Sequence, residues 1–289
     1  MSISHPIAYI IEGHGLKLSI ALVETEKLIL HEETIPESLE KLRNNIKADK
    51  ILQSPVIVDT NSLIILDGMH RVTALKSLGC RYTPVCLVDY TNQEIKLDRW
   101  CRTFRGSITI DDMISKIKDL GVSIIPCENG VLDESKTLII ANNISYQLKA
   151  PLDGVEYEFG VVSEIESWAI SRGIRVKHET YQDAISHLSQ GKFSIILCPP
   201  KVSKNQVIEV TQKGKVFTHK ATRHMIPARP MGLNIPLSIL QDPNITIEEA
   251  NELLSQHLHS KNLKRIPPGE ILYNRRYEEE VFIFEDKRS

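Results

Sequence analysis

Residues 55–79, PVIVDTNSLIILDGMHRVTALKSLG, decide the fold of this chain. Two apolar runs flank the polar residues 59–62, and this pattern predicts a β-hairpin with a polar turn. Asp67 and Gly68 end the second strand, and the residues that follow predict a short helix that Gly79 closes. The stretch therefore predicts a strand–turn–helix corner with a glycine where the helix begins.

This corner has the chemistry of a phosphate-binding turn. The first N–H groups of a helix have no acceptors within the helix and lie at the positive end of its dipole. Gly68 lets the backbone approach a ligand closely, and His70 and Arg71 add side-chain donors. An ordinary corner with a solvated arginine explains the same residues, so the motif alone leaves both interpretations open.

Strand-like and helix-like segments alternate around the corner, as in an α/β protein. The predicted strands cover residues 19–23, 84–90, 137–141, 144–148, 174–178 and 193–198. The predicted helices cover residues 37–50, 110–119, 161–172, 181–189, 202–213 and 246–259. Asn142 and Asn143 predict the turn of a second hairpin, and Ser203 predicts an N-cap. The pattern changes after Gly106, which places a domain boundary near residues 104–106, and the last ~50 residues look less regular.

Charge and hydropathy exclude some classes of protein. The 289 residues include 35 Lys+Arg and 37 Asp+Glu, a formal net charge of -2 that argues against bulk binding of nucleic-acid backbones. No apolar run approaches the ~18 residues that span a bilayer, and the N-terminus has no basic leader. The five cysteines form no CxxC pair. We therefore expect a cytoplasmic protein with free thiols, no membrane anchor and no nucleic-acid partner.

Three further clusters carry candidate site residues. Thr222, Arg223 and His224 stand between apolar segments, as in an anion or carboxylate pocket, although a loop that satisfies its own backbone fits equally well. Glu32 precedes a predicted helix. A carboxylate at this position either interacts favourably with the helix dipole or acts as a general base. Trp100 lies in a charged run and is either a core residue or the wall of a pocket.

The clusters occur together, in order, in a pattern that resembles the free L-serine kinases of the ParB/sulfiredoxin-like superfamily. The matching segments are 31–33, 66–79, Trp100 with 104–106, and 214–227, all within residues 18–240. The resemblance implies an α/β (α+β) fold with a ParB/sulfiredoxin-like nucleotide-binding lobe over 1–105. A second α/β lobe over 106–240 would complete the serine pocket, with a cleft between the lobes. Residues 241–289 would form a C-terminal extension.

The resemblance also implies roles for individual residues. Glu32 would take the proton from the serine hydroxyl, and Arg223 would pair with the substrate carboxylate. The expected phosphate-binding residues are Asp67, Gly68, Met69, His70 and Arg71. The expected residues of the serine and phosphate pocket are Trp100, Thr222, Arg223 and His224. The reaction would transfer a phosphoryl group from ADP or ATP to L-serine, giving O-phospho-L-serine, a possible precursor for cysteine synthesis.

Magnesium is the expected cofactor because phosphoryl transfer spreads negative charge over several oxygens. Asp67 is the candidate ligand for it. The archaeal kinases resemble this chain most, but they have a histidine where Met69 stands. Sulfiredoxins use a cysteine at that position, so their redox chemistry is excluded here. The alternative function is a nucleotide-sensing ParB-like regulator that binds DNA or a partner protein. The sequence leaves the donor nucleotide and the oligomeric state open.

Overall fold

The protein is described by a computed structural model that covers residues 6–13, 15–127, 132–141, 144–149, 154–272 and 275–287. In these ranges the helices are α1 Pro36–Asp49, α2 Met69–Ser77, α3 Ile110–Asp119, α4 Val155–Ser171, α5 Tyr181–Ser189, α6 Lys204–Gln212, α7 Leu237–Gln241 and α8 Ile247–His259. The strands are β1 Tyr9–Gly13, β2 Leu16–Glu24, β3 Ile51–Leu52, β4 Val56–Asp59, β5 Ile65–Asp67, β6 Tyr82–Val88, β7 Lys96–Asp98, β8 Cys101–Arg105, β9 Ser123–Pro126, β10 Leu138–Ala141, β11 Ile144–Lys149, β12 Arg175–Glu179, β13 Ile196–Cys198, β14 Arg223–Met225, β15 Ala228–Met231, β16 Ile235–Pro236, β17 Lys261–Ile266, β18 Ile271–Leu272, β19 Arg275–Arg276 and β20 Glu280–Asp286.

The chain forms two compact units whose limits differ from the predicted lobes. The first unit comprises residues 1–96, 207–216 and 224–289, and the second comprises 97–206 and 217–223. The predicted boundary near residues 104–106 falls at the end of β8, which lies inside the sheet of the second unit. Because β8 pairs with a strand of this unit on each side, the division comes before β8.

The first unit is built on a five-stranded sheet with the order β1-β2-β6-β4-β5. Strands β4 and β6 run parallel, and the other neighbouring pairs are antiparallel. The central strands are buried on both faces, which is why β4 and β6 read as nearly continuous apolar runs. The predicted hairpin of residues 55–66 is confirmed as β4 and β5, and the helix after it as α2.

Residues 241–289 form part of this unit and not an extension of it. Asn251 on α8 accepts from the N–H of Leu22 at 2.7 Å and donates to its C=O at 3.0 Å. The neighbouring strand β1 begins at Tyr9, opposite Ile20, so it does not extend to Leu22. Asn251 therefore pairs with the backbone N–H and C=O of Leu22 in place of a strand. The side chains of Leu254, on α8, and Phe284, on β20, are buried in the main core of the unit. In the described part of residues 241–289, the helix predicted over 246–259 is present as α8, and strands follow it where the sequence looked less regular.

The second unit contains a six-stranded sheet with the order β12-β8-β13-β10-β11-β9. Helices α3 and α4 contribute Met113, Ile117 and Ile165 to its core. Helix α4 begins six residues before the predicted 161–172. The hairpin around residues 142–143 is confirmed in its strands, while the two turn residues lie outside the described ranges.

The cysteine prediction is wrong for one pair. Cys101 on β8 and Cys198 on β13 form a disulfide, with their Cα atoms 4.3 Å apart. The antiparallel register pairs Leu197 with Arg102, so the two cysteines lie directly opposite each other. Sequence spacing could not reveal this, because the cysteines are 97 residues apart. Among the described residues, no helix combines the length and the apolar character required to cross a bilayer.

Candidate active site

The N-terminus of α2 has the geometry predicted for the corner. Gly68 is the N-cap residue and has φ 109°, in the left-handed region that favours glycine. A Cβ atom at this position would lie 2.6 Å from Cγ1 of Val56 and 2.9 Å from Nη2 of Arg71. The register between β4 and β5 shifts between Ile57 and Val58, before the turn. Such β-bulges commonly bend a strand next to a binding or active site. Only glycine fits here without displacing its neighbours.

Arg71 is held inside the first unit. Its Nη1 atom donates to the carbonyls of Ser54, at 3.3 Å, and Pro55, and its Nη2 donates to Oδ2 of Asp67 at 2.9 Å. Nη1 of Arg229 donates to the same Asp67 oxygen at 3.1 Å. Two guanidinium groups thus share one carboxylate. Arg71 therefore supports the turn as well as lying beside it, and its contact with phosphate stays a prediction.

The segment that carries Glu32 is attached to this corner. The N–H of Ile65 donates to the carbonyl of Ile29, and Nδ1 of His31 donates to the carbonyl of Ile65 at 2.6 Å. Further along, Nε2 of His70 accepts from the N–H of Ile35 at 2.9 Å. A neutral His70 therefore has its proton on Nδ1, so that atom is the one able to donate. These contacts fix the backbone on both sides of Glu32 against β5 and α2.

Next to Glu32, the imidazole of His31 belongs to a group of buried and half-buried aromatic and imidazole rings. Oε1 of Glu32 is 3.7 Å from Nε2 of His31, and both side chains are buried. The ring of His31 packs edge-on against that of His224, with centroids 5.1 Å apart, and Nε2 of His224 lies 2.7 Å from the hydroxyl of Tyr90. Burial lowers the pKa of His31, despite the nearby charge of Glu32 and the bond to the carbonyl of Ile65. His31 is therefore neutral, and its one N–H, at Nδ1, donates to the carbonyl of Ile65.

A cavity of about 370 Å³ opens beside the corner, within the first unit. Asp67, Arg71 and Arg229 provide its charged wall, while Ile46 and Tyr277 contribute apolar surface. A pocket of this size, lined by both polar and apolar side chains, suits a small organic ligand with polar groups. The sequence did not predict Arg229 or Tyr277, because each is more than 150 residues from the α2 turn.

The cluster predicted from residues 222–224 is divided between the two units. The chain passes from the second unit to the first between Arg223 and His224. In the second unit, the guanidinium of Arg223 lies 5.5 Å from the ring centroid of Trp100, and Nζ of Lys220 lies 5.3 Å from it. Thr222 is buried. Trp100 and Arg223 therefore lie in contact, while His224 contacts His31 and Tyr90 in the first unit, and the role of these residues in a serine pocket stays a prediction.

Asp67 is poorly placed to bind a magnesium ion without help from other ligands. Its Oδ2 atom already accepts from Arg71 and Arg229, so a cation would compete with two positive charges. Among the described residues, Asp67 belongs to no cluster of three possible ligands. Mg²⁺ is commonly held by one carboxylate, substrate phosphates and several waters. The residues of the corner fit that kind of binding, in which the nucleotide supplies most of the ligands.

Known proteins share both sequence and fold with this chain, although no protein-family model matches it. An ATP-dependent L-serine kinase from Staphylothermus marinus is 29% identical, covering 76% of this chain and 90% of that protein. An ADP-dependent L-serine kinase from Thermococcus kodakarensis is 21% identical, covering 78% and 94%. A ParB-like protein from Sulfolobus acidocaldarius is 27% identical, covering 70% and 88%. The predicted resemblance to L-serine kinases is confirmed.

The fold is shared with a solved free serine kinase, a glutamate-to-alanine variant in complex with AMP. The TM-score is 0.69 at 20% identity, and the match covers 77% of this chain and 94% of that one. The mixed α/β fold predicted from the sequence is therefore confirmed.

Proposed function

We propose that this protein is a free L-serine kinase that transfers a phosphoryl group from ADP or ATP to the serine hydroxyl. The observation that carries the proposal is the attachment of the Glu32 segment to the glycine turn of α2. His31 and Ile35, on either side of Glu32, bond to β5 and α2. A buried carboxylate is thereby fixed near a turn of the kind that binds phosphate. The curated L-serine kinases among the relatives supply the substrate class.

The α2 turn would hold the phosphates of the nucleotide. The backbone N–H groups at residues 69–71 begin a helix and so point along its axis toward the turn. The side chain of Met69 packs into a small core of the first unit, so that this residue would contribute its backbone alone. The cavity beside Asp67 would take the nucleoside. Mg²⁺ would be held beside Asp67, mainly by the nucleotide and waters, and would supply positive charge that stabilises the phosphoryl group as it is transferred.

Glu32 would act as the general base. The serine hydroxyl is a weak nucleophile at neutral pH, and a carboxylate within hydrogen-bond reach removes its proton as the new P–O bond forms. Glu33, the next residue, is exposed to solvent, whereas Glu32 is buried. The donor nucleotide loses its terminal phosphoryl group, and the products are O-phospho-L-serine and the shortened nucleotide.

Arg223 would recognise the serine carboxylate. A guanidinium group pairs with a carboxylate through two parallel hydrogen bonds, and Trp100 supports one face of this guanidinium. Arg223→Ala should raise the KM for serine much more than the KM for the nucleotide, because the contact touches one substrate. An equal rise in both constants would place Arg223 on the phosphates instead.

The test is a substrate screen. The full chain is incubated with Mg²⁺, ADP or ATP, and each of the common amino acids, and the products are separated and identified by mass. We expect O-phosphoserine in the serine reaction, and no product from O-methylserine, which has no hydroxyl proton. The absence of O-phosphoserine with both nucleotides would refute the proposal.

A ParB-like regulator is the second candidate, because one relative is named a ParB-like protein. Such a regulator needs no general base. It would bind nucleotide without consuming it and shift the mobility of DNA or capture a partner protein. Nucleotide binding without turnover, combined with DNA binding at physiological salt, would favour this candidate over the kinase.

A further inference from the structure

A cluster of two histidines and a glutamate lies in the second unit, outside the residues discussed so far. Glu166 comes from α4, His178 from β12 and His219 from the segment 217–223. One ligand atom from each residue lies within 4.8 Å of the others. Glu166 is buried, and the side chains of His178 and His219 are 21% and 28% exposed. Two consecutive elements, α4 and β12, thus meet a later segment of the chain at one point.

The spacing of these atoms matches a tetrahedral metal site. Metal–ligand bonds of about 2.0–2.1 Å place neighbouring ligands of a tetrahedron roughly 3.3–3.4 Å apart. Oε1 of Glu166 is 3.0 Å from Nε2 of His178 and 3.4 Å from Nε2 of His219. Nε2 of His178 is inaccessible to solvent and makes no geometrically acceptable hydrogen bond in the part of the chain described. At 3.0 Å from Oε1, this nitrogen is either one half of an ion pair with Glu166 or a second ligand to an ion that both atoms bind.

Arg102 holds two of the three ligands in place. Its Nε atom donates to Oε2 of Glu166 at 3.0 Å, which turns Oε1 toward the two imidazoles. Its Nη2 donates to the backbone carbonyl of His219 at 3.0 Å. Arg102 is fully buried, and it lies opposite His178 in the pairing of β8 with β12. Outer partners of this kind fix the orientation of ligands in metal sites.

The donor set selects the class of metal. Two imidazoles and one carboxylate suit Zn²⁺, whereas Mg²⁺ and Ca²⁺ prefer oxygen donors alone. Three protein ligands leave a fourth tetrahedral position for water or a small anion. A divalent ion near Arg102 would give the site a net positive charge, which favours an anion in that position.

We propose that Glu166, His178 and His219 bind one zinc-class divalent ion, with a fourth position open to water or an anion. The ion would join α4 and β12 to the segment that carries Thr222 and Arg223. It would therefore stabilise that segment independently of any magnesium bound with the nucleotide. The proposal concerns metal binding and does not depend on the kinase activity.

The test uses the full chain after removal of metals with a chelator. Titration with Zn²⁺ is followed by calorimetry, and titration with Co²⁺ by the visible absorption of a four-coordinate cobalt site. We expect one equivalent of each ion to bind, and 1 mM Mg²⁺ not to displace it. His178→Ala and His219→Ala should each weaken binding by at least about 100-fold, because outer partners alone account for about 10–100-fold.

His187→Ala is the matched control, because Nδ1 of His187 also lies close to a carboxylate, 2.9 Å from Oε2 of Glu179 in the same unit, but among the described residues neither belongs to a group of three possible ligands. This variant should keep the full stoichiometry and affinity. Circular dichroism verifies that each variant is folded, and His219→Gln serves if His219→Ala is not. A folded wild-type chain that binds no Co²⁺ would overturn the proposal, and so would binding that survives in both histidine variants.

Discussion

Replacing Gly68 by alanine should destabilise the first unit by more than the same change at Gly79. Both glycines flank α2, and both have positive φ, 109° and 73°. A left-handed conformation costs an alanine roughly 1–2 kcal/mol, and the lower entropy of the unfolded chain offsets about 0.4–1 kcal/mol of this. These two contributions apply to both positions.

The two positions differ in the space around a new Cβ atom. At Gly79 no atom lies within 4 Å, whereas at Gly68 Cγ1 of Val56 lies 2.6 Å away and the guanidinium of Arg71 2.9 Å. Overpacking of a filled site costs about 1–3 kcal/mol. Gly68→Ala should therefore cost about 1–3 kcal/mol more than Gly79→Ala.

Urea unfolding followed by far-ultraviolet circular dichroism measures this difference. Tryptophan fluorescence is unsuitable, because Trp100 and Trp168 both lie in the second unit. The affinity for ADP, measured by calorimetry on the folded variants, should fall for Gly68→Ala and stay unchanged for Gly79→Ala. Equal losses of stability at the two positions would refute the argument that close approach at Gly68 requires a glycine.

Three further predictions concern the folded structure and its stability. Asn251→Ala should lower the free energy of unfolding by about 2–4 kcal/mol in urea titrations, because it leaves the buried N–H and C=O of Leu22 unpaired. Replacing the exposed Gln256 on the same helix by alanine should change this free energy by less than about 0.5 kcal/mol. Alkylation of the unfolded, unreduced chain should label three thiols, and five after reduction, because Cys101 and Cys198 are paired; five labels before reduction would contradict the disulfide. Burial lowers the pKa of His31 in the folded chain, so the stability that its neutral form contributes is fully present above about pH 6.5 and is lost as the pH falls from there through the lower pKa of the folded state. His31→Gln should flatten this part of the stability profile, and an unchanged slope would be inconsistent with the buried neutral ring.

Helices whose apolar spacing and capping residues lie within one short stretch of sequence were predictable. Helices α3 and α5 have the predicted bounds, because apolar residues at helical spacing and the capping residues Thr109 and Thr180 lie within one short stretch. The α2 corner was predicted for the same reason, since Gly68 and Gly79 mark both of its ends.

Contacts between distant segments could not be predicted in this way. Arg229 reaches Asp67 across 162 residues, and Asn251 reaches β2 across 229. Neither side chain has a local signal, because its role depends on the strand that lies opposite it after folding. The same holds for the cluster around Glu166, whose three members look like ordinary surface residues in the sequence.

The ratio of kcat values for Glu32→Gln and Glu33→Gln tests the central claim most directly. Both substitutions replace a carboxylate by an amide of the same shape, and both are assayed for O-phosphoserine at saturating serine and nucleotide. We expect Glu32→Gln to lower kcat by roughly 10²–10⁴-fold, the usual range for a lost general base, while nucleotide binding persists and Glu33→Gln remains nearly as active as the wild type. Equal activities of the two variants, or a larger loss in Glu33→Gln, would contradict the assignment of Glu32 as the base.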